Sequence, residues 1–404
     1  MFLCLRYLCF GLVLVVYSVS VMAQTKEASS LPVSEISKNP YVLESLHPLS
    51  RDLKWGMGAF FQGFFDNREY AGSMLQKSQT YGGVQVGILG ELKFKNRYGL
   101  YLGGILMWEF GAPKPTYFDL IAYFQTQYPS FIDFKIGFIP ADFLKNELPD
   151  YFFQHQAWYF HPTIAGMQLI LGTPLYKQTV YLDWFGRQSE KNREMFSLGT
   201  LGRYYLIKDK LFLRNIFTLN HIAGDLDPNS LKNVRDNIHL ALGIWSKPFE
   251  SSLTRYQIPL KIELSADYLL SHDKLRDIYD TGVLNNMAVN ARMSFWYAFL
   301  GVKFFLGHGF SSYFGDPFYY PIFEHPRVPV LRTRTVVETG LKIIGHPTWP
   351  FCAYLNVNIQ FAENHIYTQQ MVVLTVYLHA LYERLTKPEK QLQISQQSPD
   401  WTWY

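Results

Sequence analysis

The sequence predicts an all-β fold, a transmembrane antiparallel β-barrel of about 16 strands, with 14 to 18 compatible with the pattern. Three observations predict it. The segment Phe351-Cys352-Ala353-Tyr354-Leu355-Asn356-Val357-Asn358-Ile359-Gln360-Phe361 places Phe351, Ala353, Leu355, Val357, Ile359 and Phe361 on one face and Cys352, Tyr354, Asn356, Asn358 and Gln360 on the other. That alternation recurs along most of the chain, behind an export signal. Aromatic residues make up 17% of the sequence, as the interfacial girdles of such barrels require.

Residues 1–23 read as a secretory signal. Arg6 supplies the positive end, Phe10 to Val21 the apolar stretch, and Val21-Met22-Ala23 the modest side chains that a peptidase accepts, so cleavage is expected before Gln24. Cys4 and Cys9 lie inside this segment and neither follows it as a lipid-modified cysteine would. Removing 23 of the 404 residues leaves 381, with Cys352 the only cysteine, so the mature chain has no intramolecular disulfide. Closure of a hydrogen-bonded barrel can hold such a chain instead, because it leaves no strand edge unpaired. No stretch after the signal offers about 18 uninterrupted apolar residues, which excludes a membrane helix. The net charge of +4 falls to +3 without Arg6, too weak a balance to imply a nucleic-acid partner.

Alternation places strands, in order, near 54–67, 80–94, 98–110, 117–128, 131–139, 165–173, 176–187, 195–206, 210–222, 236–247, 257–270, 286–297, 298–308, 333–345, 351–362 and 370–382. In 258–268, Ile258, Leu260, Ile262, Leu264 and Ala266 face lipid, and Lys261, Glu263, Ser265 and Asp267 face the lumen. Short connections such as Asn96-Arg97, Pro129-Ser130 and Lys208-Asp209 belong to the periplasmic end. The longer segments 140–164, 223–235, 271–285 and 309–332 are expected as extracellular loops, some folding inward. Phe60-Phe61, Phe64-Phe65, Trp108, Phe110, Trp184-Phe185 and Phe295-Trp296-Tyr297 fall near strand ends, where rings favour the headgroup level. The organisation is then a signal at 1–23, a periplasmic segment at 24–53, the barrel at 54–385 and a tail at 386–404. Tyr382, or the terminal Trp401-Thr402-Trp403-Tyr404, is expected to serve assembly.

The segments Tyr181-Leu182-Asp183-Trp184-Phe185-Gly186-Arg187-Gln188 with Arg193-Glu194, His221-Ile222-Ala223-Gly224, and Gly315-Asp316-Pro317-Phe318-Tyr319 resemble recurring stretches of a poorly characterised group of porin-like outer-membrane proteins of Gram-negative bacteria. The resemblance runs over most of the mature chain. It implies the bacterial outer membrane as location and a barrel as architecture, and it names no substrate.

The functional expectation is a porin-like channel for passive diffusion of small polar solutes. Alternation puts Tyr181, Asp183, Phe185 and Arg187 on one face, with Arg203 and Arg214 on neighbouring strands. Lys261, Glu263 and Asp267 line another wall, and Arg334, Glu338 and Lys342 a third. These charges either form an ion-selective constriction or simply neutralise one another in a wet interior. The alternatives are a plugged barrel, closed by 140–164 or 309–332, that serves as receptor or scaffold, and a barrel lipid hydrolase. A hydrolase needs a histidine beside a nucleophile. His155, His161, His221, His239, His308 and His379 are available, and His308-Gly309-Phe310-Ser311-Ser312 is the nearest local pairing, but no motif joins them, so the chain is expected not to be an enzyme. Asp225, Asp227 and Asn229 alternate like a calcium loop without its glycine and glutamate. No cofactor or metal is implied. Membrane lipid and small polar solutes are the expected partners, and a homo-oligomer such as a trimer stays open, although nothing in the sequence supports one.

Overall fold

A computed structural model describes residues 47–48, 52–128, 131–189, 192–225, 233–253, 258–295, 297–325, 328–343, 351–362 and 364–377. The putting together of sixteen long strands gives a closed antiparallel barrel. They are β1 (Leu53–Glu69), β2 (Gln79–Phe94), β3 (Tyr98–Glu109), β4 (Tyr117–Tyr128), β5 (Ile132–Pro140), β6 (Thr163–Thr173), β7 (Tyr176–Gly186), β8 (Met195–Ile207), β9 (Leu211–Ile222), β10 (Arg235–Leu253), β11 (Ile258–Leu275), β12 (Leu284–Phe295), β13 (Ala298–Gly307), β14 (Arg332–Ile343), β15 (Phe351–Ala362) and β16 (His365–Tyr377). Each strand pairs with its chain neighbours, and the ring closes where Phe60–Glu69 of β1 pair with Thr368–Tyr377 of β16. Closure satisfies every strand edge, the condition for a sheet to cross lipid. Among the described residues no helix is long and apolar enough to cross a membrane.

The sixteen expected strands all form, with three differences, the first being that the tenth runs on to Leu253 rather than ending near 247. The last begins at His365 rather than near 370, because its lipid-side positions there are Thr368 and Gln370, polar residues at the outer end that hide the alternation. Residues 378–382, also expected in it, lie outside the described residues, as do the signal, nearly all of the N-terminal segment and the tail. The eleventh strand continues to Leu275, so the loop expected at 271–285 shrinks to 276–283. The row Tyr268, Leu270, His272, Lys274 mixes apolar and charged side chains on one face, which masks a strand that leaves the hydrocarbon region.

The short connections gather at one end of the barrel. Between β2 and β3, Lys95 and Asn96 both take left-handed backbone with φ of 52°, the conformation that lets a tight hairpin match strand twist. At the other end the loops are mostly longer, and two of them fold inward. The 141–162 loop carries α1 (Asp142–Glu147) and α2 (His155–Phe160), and the 308–331 loop carries a 3-10 turn at Pro317–Tyr319. Their aromatic side chains fill the lumen: Tyr151, Phe152, Phe310 and Phe318 are fully buried, and Phe152 meets Phe310 at 4.9 Å and Tyr151 meets Tyr319 at 5.7 Å. The core of this molecule is therefore a plug, and the exterior is the greasy face. At Gly199 an added Cβ would fall inside the Tyr181 ring, so the wall thins to backbone where that ring lies against it.

Candidate functional site

The interior charges anticipated as a pore lining stand on the inner wall, where most of them pair. Glu147 of α1 meets Lys177 at 2.5 Å and Arg203 at 3.0 Å. Asp150 meets Lys303 at 3.2 Å, which also bridges to Glu338 at 2.6 Å. Arg334 reaches Asp316 at 2.7 Å, and Lys261 lies 2.8 Å from Glu263. Asp267 pairs with Arg214 and accepts a 2.8 Å hydrogen bond from the Tyr151 hydroxyl. Lys342 shares the inner face of β14 and is half-buried. Arg187 departs from its expected place: a register shift between Asp183 and Gly186 ends the alternation, and Arg187 is exposed beyond the strand.

Four histidines resolve into distinct settings. His239 is enclosed, its Nε2 at 2.8 Å from the Ser311 carbonyl and its Nδ1 at 3.0 Å from the Thr218 hydroxyl. A carbonyl only accepts, so Nε2 carries the proton, Thr218 donates to Nδ1, and both nitrogens are engaged. His161 holds Asp183 at 2.7 Å under the Phe314 ring, on the inner rim, and Asp183 also accepts from the Ala165 N–H at 2.9 Å. That pair ties the root of β6 to β7. His308-Gly309-Phe310-Ser311-Ser312 does not pair a serine with its own histidine: Ser311 sits beside His239 and Asp273, and Ser312 donates to the Phe152 carbonyl at 3.0 Å.

His221 and His272 face the other way, outward. On β9 His221 shares its side with the exposed Leu213, and on β10 its cross-strand partner Asp236 shares its side with the exposed Leu242 and Ile244. The register Phe196, His221, Asp236, Lys274 forms one continuous row around the outside of β8 to β11. From Leu211 to His221 the strand climbs ten steps, which at about 3.3 Å each and a tilt of about 40° is about 25 Å, the height of the apolar band of such barrels. The row therefore stands where hydrocarbon gives way to headgroups.

Within it, His221 Nδ1 lies 2.7 Å from Asp236 Oδ1, and Asp236 Oδ2 accepts from Arg276 Nη2 at 3.1 Å. A carboxylate held on both sides fixes the imidazole with its proton on Nδ1 and leaves Nε2 as the basic nitrogen. Phe196 stacks on the His221 ring at 5.0 Å and Trp184 packs on Phe196 at 5.6 Å. Lys274 and His272 both reach Asp280, at 3.1 Å and 2.8 Å. Burial pulls the Asp280 pKa up, but hydrogen bonds from the Gly282 N–H, His272 and Lys274 outweigh it and hold the carboxyl at about 2.

The loop segments that bear two of the recurring motifs converge here, while Gly315-Asp316-Pro317-Phe318-Tyr319 lies in the plug. Gln188 donates to the Gly224 carbonyl at 3.3 Å and accepts from the Glu194 N–H at 2.7 Å. Arg193 donates to the carbonyls of Ala223 at 2.6 Å and Asn233 at 3.0 Å, stitching the ends of β7, β8, β9 and β10 around His221. The sequence pointed to His221 as one of six histidines. It gave no sign of Asp236, Lys274 or Arg276, whose placement depends on the register of β9, β10 and β11. Among the described residues no group of three or more His, Cys, Asp or Glu side chains could hold a metal ion. Asp225 is described there, whereas Asp227 and Asn229 lie outside the described residues.

A closed barrel with a greasy exterior and a filled lumen defines an outer-membrane β-barrel protein. The chain belongs to the lipid A 3'-O-deacylase-type family, whose model matches residues 51–368. This membership corrects the expectation that the barrel is not an enzyme, since the family is named for a hydrolytic activity. No curated protein matches the chain in sequence. Among solved structures it is similar to OmpT of Vibrio cholerae expressed in the outer membrane, with a TM-score of 0.50 and 8% identity over 82% of this chain and 99% of that one. The trimer form of in-vitro folded OmpT from Vibrio cholerae matches with a TM-score of 0.50 and 7% identity over 81% and 99%. At such identities the likeness shows the fold alone.

Proposed function

We propose that the protein is an outer-membrane ester hydrolase that removes an acyl chain from a lipid A-type glycolipid. The observation that carries this reading is the His221–Asp236 pair on the lipid-facing wall at headgroup height. A multi-acylated lipid stays in its leaflet, and its ester carbonyls lie just beneath the headgroup, so a base on the outer wall meets them without extracting the lipid. His221 Nε2 takes a proton from water, and the resulting hydroxide attacks the ester carbonyl. The positive field of the nearby Lys274 and Arg276 stabilises the oxyanion without direct contact. The tetrahedral intermediate collapses by breaking the bond to the sugar oxygen, His221 returns the proton to that oxygen, and a fatty acid and a free sugar hydroxyl result. Water is the nucleophile because the nearest motif serines, Ser311 and Ser312, face the lumen.

Passive diffusion is the weaker reading, because aromatic residues occupy the lumen. The interior charges Arg203, Glu338 and Arg334 are read instead as anchors for the plug. The test is mass spectrometry of lipid A incubated with the purified protein. Loss of one acyl chain in the wild type and not in His221→Ala supports the reading; equal deacylation by both defeats it.

A further inference from the structure

The outer wall carries cations where a barrel ordinarily presents only apolar and aromatic groups. Lys274 and Arg276 stand at the loop end of β11, their side chains 44% and 42% exposed, although each also touches a carboxylate. Lys274 spends one of three N–H donors on Asp280, and Arg276 meets Asp236 through a single nitrogen, Nη2. The remaining donors have no reason to enter hydrocarbon, where a charge is costly, and they snorkel toward the headgroups. Below them on the same face lie Leu270, Leu242, Ile244 and Leu264, an apolar slope on which acyl chains can rest. Cations above and grease below match a phosphorylated, multi-acylated lipid and no soluble ligand.

We propose that Lys274 and Arg276 form a subsite for a phosphate group of an outer-leaflet glycolipid. The proposal rests on the hydrolase reading for its purpose, since the subsite sets the lipid beside His221. It stands on its own as a binding site. Charge complementarity argues for the occupant: phosphate oxygens accept from both side chains, and Lys274 lies opposite Asp236 in the strand register. His272, held by Asp280, completes the ledge.

The experiment measures affinity of the full-length protein in detergent, on a His221→Ala background that prevents turnover. The probes are diphosphorylated lipid A and the same lipid lacking both phosphates. Lys274→Gln with Arg276→Gln is expected to weaken binding of the diphosphorylated lipid tenfold or more and to leave the phosphate-free lipid unchanged. Lys274→Arg with Arg276→Lys is expected to retain binding, and inorganic phosphate in large excess over the lipid is expected not to displace it. Equal affinity of the neutral variant and the parent for diphosphorylated lipid A overturns the subsite, as does an equal loss for both lipids. Displacement by free phosphate overturns the assignment to a lipid headgroup. Failure of the hydrolase reading would show separately, as unchanged deacylation in His221→Ala, and would leave these affinities as they are.

Discussion

At the scale of single residues, two His–Asp pairs of the same 2.7 Å length sit on opposite sides of the wall, and their surroundings separate their roles. His161–Asp183 is roofed by Phe314 inside the rim, whereas His221–Asp236 faces the bilayer with Phe196 against its ring. Replacing His221 by Ala is expected to lower the deacylation rate by about 10²-fold or more, the usual weight of a general base. Asp236→Asn is expected to lose a comparable factor, because an amide can hold the imidazole in the wrong tautomer. His161→Ala is expected to leave the rate within about threefold while loosening the plug. A lipid A deacylation time course on the three variants checks all of these, and a His161→Ala enzyme as slow as His221→Ala would move the site indoors. A stability prediction belongs to the same scale. Gly199→Val puts side-chain atoms where the Tyr181 ring lies, so it is expected to destabilise the barrel by about 1–3 kcal/mol, read as an earlier urea unfolding of the folded band.

At the scale of elements, α1 is packed through Leu144, which is buried in the apolar cluster of the lumen, and pinned by charge through Glu147. Burial pushes the Glu147 pKa up, but Arg203 and Lys177 outweigh it and take it down to about 2 from the ordinary 4.5. A carboxyl with a depressed pKa stabilises the docked state fully above its unfolded value and loses that contribution as pH falls through the folded one. The plug is therefore expected to loosen as pH falls from about 4.5 toward 2, with limited proteolysis in 141–162 as the measurement. Glu147→Gln leaves Lys177 and Arg203 facing each other in the lumen and is expected to cost about 3 kcal/mol of docking at neutral pH, so cleavage there should no longer need acid. The strands were readable because period-2 alternation is enforced wherever one side is lipid. Alternation failed where that constraint lapses: at Thr368 and Gln370, at Lys274, and at the register shift that carries Arg187 off β7. Neither α1 nor α2 announced itself, since six residues in a plug answer to the shape of the lumen rather than to a helical period. The site was less legible still. His221 lies fifteen residues from Asp236 and more than fifty from Lys274 and Arg276, and only the cross-strand register makes them neighbours.

At the scale of the molecule, the barrel inverts the ordinary globular plan, and the plug decides what it can do. Tyr151, Phe152, Phe310 and Tyr319 form one aromatic knot between the walls, with Tyr151 bonded to Asp267 and Asp150 to Lys303 below it. Opening a continuous water path means breaking that knot, and a charged lining matters for transport only after it breaks. The purified protein in a planar bilayer at neutral pH is accordingly expected to pass no stepwise current. A variant in which 310–320 is replaced by a Gly-Ser linker removes Phe310, Phe318 and Tyr319 together with the Asp316 partner of Arg334, and it is expected to conduct in steps. Because His221, Asp236 and Lys274 lie outside the wall, the same variant is expected to keep deacylating lipid A. Conductance gained with hydrolysis retained would place the chemistry on the exterior and assign the lumen a structural role. Stepwise currents from the unmodified protein would instead return the lumen to transport, and loss of hydrolysis in the conducting variant would tie the plug to the active site.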